Sequence, residues 1–214
     1  MQRTYYFPNA PTTASYQERY KHIAYHEAGH AAAIYIRNRE LQLPPIYFAI
    51  TFNRHECAEA SFFAKIEGGR LIDNLPVAEI ENTHLNFGAE KQSLQQAYEV
   101  DVINLLVGPL AEAKFVALRD DEVFNPQLVN IKALNNYGGH SDLEQAYAYL
   151  AYFIGDARER ELKIEYLFIS AFQFVNQPKN WRSIEHFANY ILSNGQANIS
   201  CEEVSLVFDE LVAN

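Results

Sequence analysis

The chain has 214 residues, enough for one sizeable core, and its 49% hydrophobic and 21% charged content, with 14 Tyr and 14 Phe, excludes a disordered polymer. A formal charge of −10 disfavours nucleic acid or an anionic membrane surface as the main partner, because neither offers cations to pair with. Two cysteines, Cys57 and Cys201, are too few for a disulfide framework or a cysteine metal cage, which fits a reducing, cytoplasmic setting.

Residues 1–14 contain Pro8, Pro11 and the paired Thr12 and Thr13, and read as an irregular arm; residues 15–214 read as one domain. No apolar run near the N-terminus is long enough for a signal peptide. Nowhere do 18 uncharged apolar residues occur together, so no integral membrane segment is expected. Ser15 and Glu18 then have the spacing of a capping box, opening a helix that runs to about residue 39.

That helix carries Ala24-Tyr25-His26-Glu27-Ala28-Gly29-His30-Ala31. Side chains four apart share a helical face, so His26 and His30 can reach one ion while Glu27 sits beside it. This H-E-x-x-H spacing is what zinc peptidases need. Two neutral imidazoles hold the metal, an open position admits water, and the glutamate takes a proton as the water attacks a carbonyl. Gly29 costs about 1 kcal/mol relative to Ala inside a helix, so its presence predicts a backbone or substrate passing close to that face.

Pro44-Pro45 ends the helix, and residues 46–52 alternate Ile46, Phe48, Ile50 and Phe52 against Tyr47, Ala49 and Thr51, the pattern of a strand. A polar turn with Asn53 and Glu56 leads to a second strand over residues 60–66, closed by Gly68-Gly69. Together they predict a small antiparallel sheet, whose open edge offers main-chain hydrogen bonds to an extended peptide or serves only in packing. Residues 73–87 read as loop. Helical spacing resumes over residues 90–106, is kinked or interrupted at Gly108-Pro109, and continues over 110–118.

After a polar break at residues 120–126, Gly138-Gly139-His140-Ser141-Asp142-Leu143-Glu144 reads as the start of another helix, with Ser141 and Glu144 as a capping box and Asp142 in the first turn. A carboxylate there lies near the positive end of the helix dipole, where it ordinarily stabilises the helix and can also serve as a third metal ligand. His140 and Glu112 are reserve candidates for that role. Further helices are expected from Leu143 through Ile154, on to Pro178 after a break at Gly155-Asp156, over residues 181–192, and from a cap at Ser200-Glu203 to Val212. His22, His55, His84 and His186 are assigned surface or satisfied core roles. The thiols have no neighbouring base, and no Gly-Lys-Ser or Gly-Lys-Thr marks a phosphate loop, so neither a cysteine nucleophile nor ATP hydrolysis is expected.

Three segments in order resemble the peptidase domain of the FtsH-type ATP-dependent zinc metallopeptidases, over about residues 18–210. They are the Ala24–Ala31 helix, Leu105-Leu106-Val107-Gly108-Pro109-Leu110-Ala111-Glu112, and Gly139-His140-Ser141-Asp142-Leu143-Glu144-Gln145-Ala146. The resemblance implies a mostly α fold, a helical metallopeptidase domain with a small antiparallel β-sheet. It also implies zinc held by His26, His30 and Asp142, with Glu27 as catalytic base. The family's transmembrane anchor and ATPase module are not expected in this chain. The leading expectation is therefore a zinc metallopeptidase acting on peptides or unfolded proteins, with a homo-oligomer or a separate ATPase as partner. A catalytically silent binding or regulatory module of the same fold is the alternative, and hydrolysis of a non-peptide amide would use the same residues; retention of Glu27 favours catalysis, since a scaffold needs no base.

Overall fold

The computed structural model describes residues 2–4, 16–52, 64–74 and 89–212. Strand β1 (Gln2–Thr4) is followed by helix α1 (Tyr16–Ala32), which continues through a π-helical turn at Ala33–Arg37 into Asn38–Glu40. Strands β2 (Phe48–Phe52) and β3 (Ala64–Gly68) come next, then a short 3-10 turn at Leu71–Asn74 and the long helix α2 (Ala89–Arg119). A 3-10 segment, Ile131–Tyr137, precedes helices α3 (His140–Phe153), α4 (Ala157–Asn176) and α5 (Pro178–Asn194). Strand β4 (Asn198–Ser200) and helix α6 (Cys201–Val212) follow. The fold is mostly α with a small antiparallel sheet, as expected.

Helix α2 is the axis of the core. Val102, Leu105, Leu106, Val107, Leu110 and Ala111 are all buried, because α1, α3 and α4 pack around it. Pro109 lies inside this helix and does not interrupt it. A proline there removes the hydrogen bond to the carbonyl four residues back, a loss of the order of 3 kcal/mol in an isolated helix. Burial of α2 against three other helices outweighs that local penalty, so of the expected kink or interruption the interruption is absent. On the flank of α1, Tyr25 stacks on Phe115 of α2 at 4.1 Å and on Trp181 of α5 at 5.8 Å, fixing the rotation of α1 about its axis.

Gly29 has the neighbour its sequence position predicts. A Cβ there would lie 2.8 Å from the Val107 carbonyl oxygen and 2.7 Å from the Ala111 Cβ, so the two backbones meet at this point only because Gly29 has no side chain. Across the same contact, a Cβ on Gly108 would collide with the His30 ring. These two glycines set how closely the motif helix lies on α2.

The strand order is β1-β3-β2-β4, all antiparallel. Phe48, Ile50 and Phe52 face the core in the alternation read from the sequence. The second strand is described over Ala64–Gly68 and so ends later than expected, while residues 60–63 lie outside the described residues, as do the polar turn with Asn53 and Glu56, most of the loop over 73–87, His55, Cys57 and His84. Two three-residue strands were not anticipated. Gln2–Thr4, expected within an irregular arm, pairs with β3, and Asn198–Ser200 pairs with β2. Both strands of the predicted hairpin are thus interior, and its open edge is taken.

Capping follows the sequence in part. Ser200 and Glu203 form the predicted reciprocal pair at the start of α6, with Ser200 N–H donating to Glu203 Oε2 at 3.0 Å and Glu203 N–H to Ser200 Oγ at 3.4 Å. Asp156 caps α4 by accepting from Glu159 N–H at 2.9 Å, which is the expected break at Gly155-Asp156. At α3 the box is not made: Gly139 is the N-cap and the Glu144 carboxylate meets His140 instead, 3.3 Å away. Asp142 nonetheless occupies the first turn, as expected. Ser15, the proposed cap of α1, lies outside the described residues.

Candidate metal centre

Three side chains from two helices converge beside α2. His26 and His30 lie one turn apart on α1, and Asp142 enters from the first turn of α3; their relative exposures are 2%, 1% and 2%. His26 Nε2 is 3.1 Å from His30 Nε2 and 3.2 Å from Asp142 Oδ2, and His30 Nε2 is 3.4 Å from Asp142 Oδ1. One ligand atom from each residue falls within 4.8 Å of the others. Among the described residues this is the one such group of three.

The outer ring nitrogens explain the orientation of the inner ones. His30 Nδ1 lies 2.8 Å from the Asn104 carbonyl oxygen, which can only accept, so Nδ1 carries the proton. His26 Nδ1 faces the Glu112 carboxylate at 3.2 Å and the Tyr137 carbonyl at 3.2 Å, again two acceptors. Each ring is therefore held as the Nδ1–H tautomer, with the Nε2 lone pair aimed at its counterpart and at Asp142. Two lone pairs and a carboxylate at these distances repel unless a cation stands among them.

In the metal-free chain a proton can take that place. Burial alone pushes the His26 imidazole down, but hydrogen bonds to the Asp142 and Glu112 carboxylates, with the nearby Glu27 charge, outweigh it and lift the group to about 10. For Asp142, burial pushes the carboxyl up, and the charge on His30 with the hydrogen bonds from both histidines more than reverses this, holding it well below the usual carboxylate range. A metal occupying the same point takes neutral imidazoles and an ionised Asp142, so its binding displaces protons held by the histidines and none from Asp142. Zinc titrated into the metal-free chain at pH 7–8, in buffers of different ionisation enthalpy, is expected to release protons from the two imidazoles. Release of none would mean that both rings are neutral before the metal arrives.

The residues fit zinc. Bonds of about 2.0–2.2 Å to a tetrahedral ion place its donor atoms roughly 3.3 Å apart, the spacing found here, and the set of two imidazoles and one carboxylate is one that zinc takes. Three protein donors also leave the fourth position for water or substrate.

Glu112, a reserve candidate for third ligand, has another place. Its buried carboxylate accepts from His22 Nδ1 at 3.0 Å and from His26 Nδ1 at 3.2 Å. Burial pushes its carboxyl up, and the two histidine hydrogen bonds more than offset this and hold it below the ordinary range. It stands behind His26 and orients the ring. His22, assigned to a surface or core role, is part of the same support: its Nε2 is 2.9 Å from an Arg119 guanidinium nitrogen and its ring meets Phe115 edge-on. With Glu112→Gln one carboxylate oxygen becomes an amide, and zinc affinity measured by competition with a chelator is expected to fall about 10- to 100-fold, the usual effect of removing such an outer partner. An unchanged affinity would make the contact merely structural.

The other reserve, His140, does not join the cluster. Its exposed ring lies 3.3 Å from Glu144 and 3.4 Å from Asn135 Oδ1. Glu27 is buried at 3% relative exposure in the position next to His26. No motif or spacing marks Asn104, whose backbone fixes His30 and whose side-chain amide is fully buried with no hydrogen-bond partner among the described residues. Its place in a buried helical run offered only a polar residue among apolar ones as a signal. His186 lines a surface depression with Tyr190 and Glu210 and belongs to no metal-ligand group among the described residues. In comparisons with known proteins, the chain matches no family model, no curated protein and no solved structure.

Proposed function

We propose that this chain is a zinc-dependent metallopeptidase that hydrolyses peptide bonds in peptides or unfolded proteins, of the kind the FtsH-type resemblance implies and without ATPase activity of its own. The observation that carries the reading is the convergence of His26 Nε2, His30 Nε2 and an Asp142 carboxylate oxygen, with Glu27 buried beside them. Zinc bound there would supply Lewis acidity, polarising a substrate carbonyl and bringing the pKa of a water to about 7.

The protein's own contribution is placement and proton transfer. Glu27 accepts the proton of the attacking water and delivers it to the departing amine, so that nitrogen leaves as a neutral amine and the new carboxyl keeps the oxygen. The Asn104 carbonyl and the Glu112 carboxylate hold the two rings in the required tautomer, and α2 closes the rear of the site to water. No described helix is long and apolar enough to cross a membrane. A cytoplasmic site of action is part of the proposal, with substrate reaching the chain already unfolded or through a separate ATPase.

The test is hydrolysis of reduced, carboxymethylated casein by the zinc-loaded chain. Turnover is expected with zinc, is lost on chelation and returns on adding zinc but not magnesium, because two imidazoles suit zinc and not a hard cation that prefers oxygen. Stoichiometric zinc without hydrolysis of casein or short peptides would favour the silent binding module.

A further inference from the structure

The sheet contains an unusual partner for β3. Its inner neighbour is β2, over five residue pairs from Phe48↔Gly68 to Phe52↔Ala64, and its outer neighbour is the chain's own residues 2–4, paired Gln2↔Glu67, Arg3↔Ile66 and Thr4↔Lys65. β3 packs against α1, which carries His26, Glu27 and His30, and β1 packs against α3, which carries Asp142. An extended chain on the outer edge of β3 therefore runs between the two elements that supply the metal-binding side chains.

The other outer strand is secured differently. β4 leads directly into α6, its Ile199 is fully buried, and Ser200 is tied to Glu203. Among the described residues, β1 is joined to β3 by a three-residue ladder and packs against α3. Three residues give few main-chain hydrogen bonds, so such a strand exchanges readily with another of the same conformation.

We propose that the outer edge of β3 is the docking edge for an extended polypeptide substrate, and that Gln2–Thr4 is its built-in competitor. This rests on the peptidase reading above. The competing segment lowers apparent substrate affinity by the fraction of time the edge is covered, and it sets a preference for long extended chains, which gain more ladder bonds than the three residues they displace.

Two variants of the full chain test this. Gln2→Cys with Glu67→Cys joins a directly opposed antiparallel pair, where Cα atoms lie about 4.5–5.5 Å apart, within disulfide range. Arg3→Pro with Thr4→Pro releases the strand: successive N–H groups point to opposite sides, so one of the two prolines must remove a bond to β3. Binding of fluorescein-labelled, carboxymethylated casein is read by anisotropy in a Glu27→Gln background, and hydrolysis of the same casein is read with Glu27 intact.

The oxidised double-cysteine chain is expected to bind and cleave at least about tenfold less than its own reduced form, with Glu67→Cys alone showing no redox effect. The double-proline chain is expected to bind about three- to tenfold more tightly, as for an edge covered most of the time. Equal binding by the locked, released and native forms overturns the inference. Binding that follows the lock while no form hydrolyses casein upholds the docking edge and defeats the peptidase reading. Hydrolysis indifferent to lock and release does the reverse.

Discussion

Replacing Asp142 by asparagine is expected to leave the purified chain with less than about one-tenth of an equivalent of zinc and with no measurable casein hydrolysis, while its fold persists. The carboxylate is the only anionic donor in the set, and an amide oxygen neither neutralises the ion nor matches a carboxylate as a zinc ligand. Asn is close to Asp in shape, so α3 keeps its first turn and the buried apolar contacts of Leu143, Ala146 and Leu150 are untouched. Zinc analysis by mass spectrometry and near-ultraviolet circular dichroism, on the same sample, separate metal loss from unfolding. His140→Ala, two residues away and exposed, is the matched control and is expected to retain zinc. Full zinc occupancy in Asp142→Asn would remove Asp142 from the centre.

How far this centre could be read in advance depends on the distance over which each part acts. The pairing of His26 with His30 is a property of one helical turn, and Gly29 announced a close neighbour through its cost to the helix; the Val107 carbonyl is that neighbour. Asp142 could be placed in a first turn from local pattern, but its arrival between two imidazoles depends on how α3 crosses α1, which no local pattern encodes. The roles of Glu112 and His22 were missed for the same reason: they are 90 residues apart in sequence and meet only because α1 lies along α2.

The misread elements share a cause as well. The sequence around Gly108-Pro109 predicts a kink or an interruption, yet tertiary burial keeps the helix uninterrupted, and α3 starts at His140 with Gly139 as N-cap, so Ser141 lies inside its first turn instead of capping it. Strands of three residues, such as Gln2–Thr4 and Asn198–Ser200, are too short for alternation to register, so the sequence pattern leaves the hairpin with a free edge that the structure fills. Five-residue β2, with Phe48, Ile50 and Phe52 inward, was long enough to be seen.

The second large effect concerns Glu27. A glutamine there keeps the size of the side chain and the neighbouring ligands but cannot accept a proton, so the account separates binding from chemistry at this one residue. General-base loss costs on the order of 10²–10⁴-fold in rate, and the His26, His30 and Asp142 set is untouched. A chain that merely stores or senses zinc would give the same metal content and have no rate to lose. Zinc content and casein turnover, determined together on native chain and Glu27→Gln, are therefore the decisive pair. The account predicts about one zinc per chain in both and turnover only in the native form; equal turnover in both, or zinc lost together with Glu27, would contradict it.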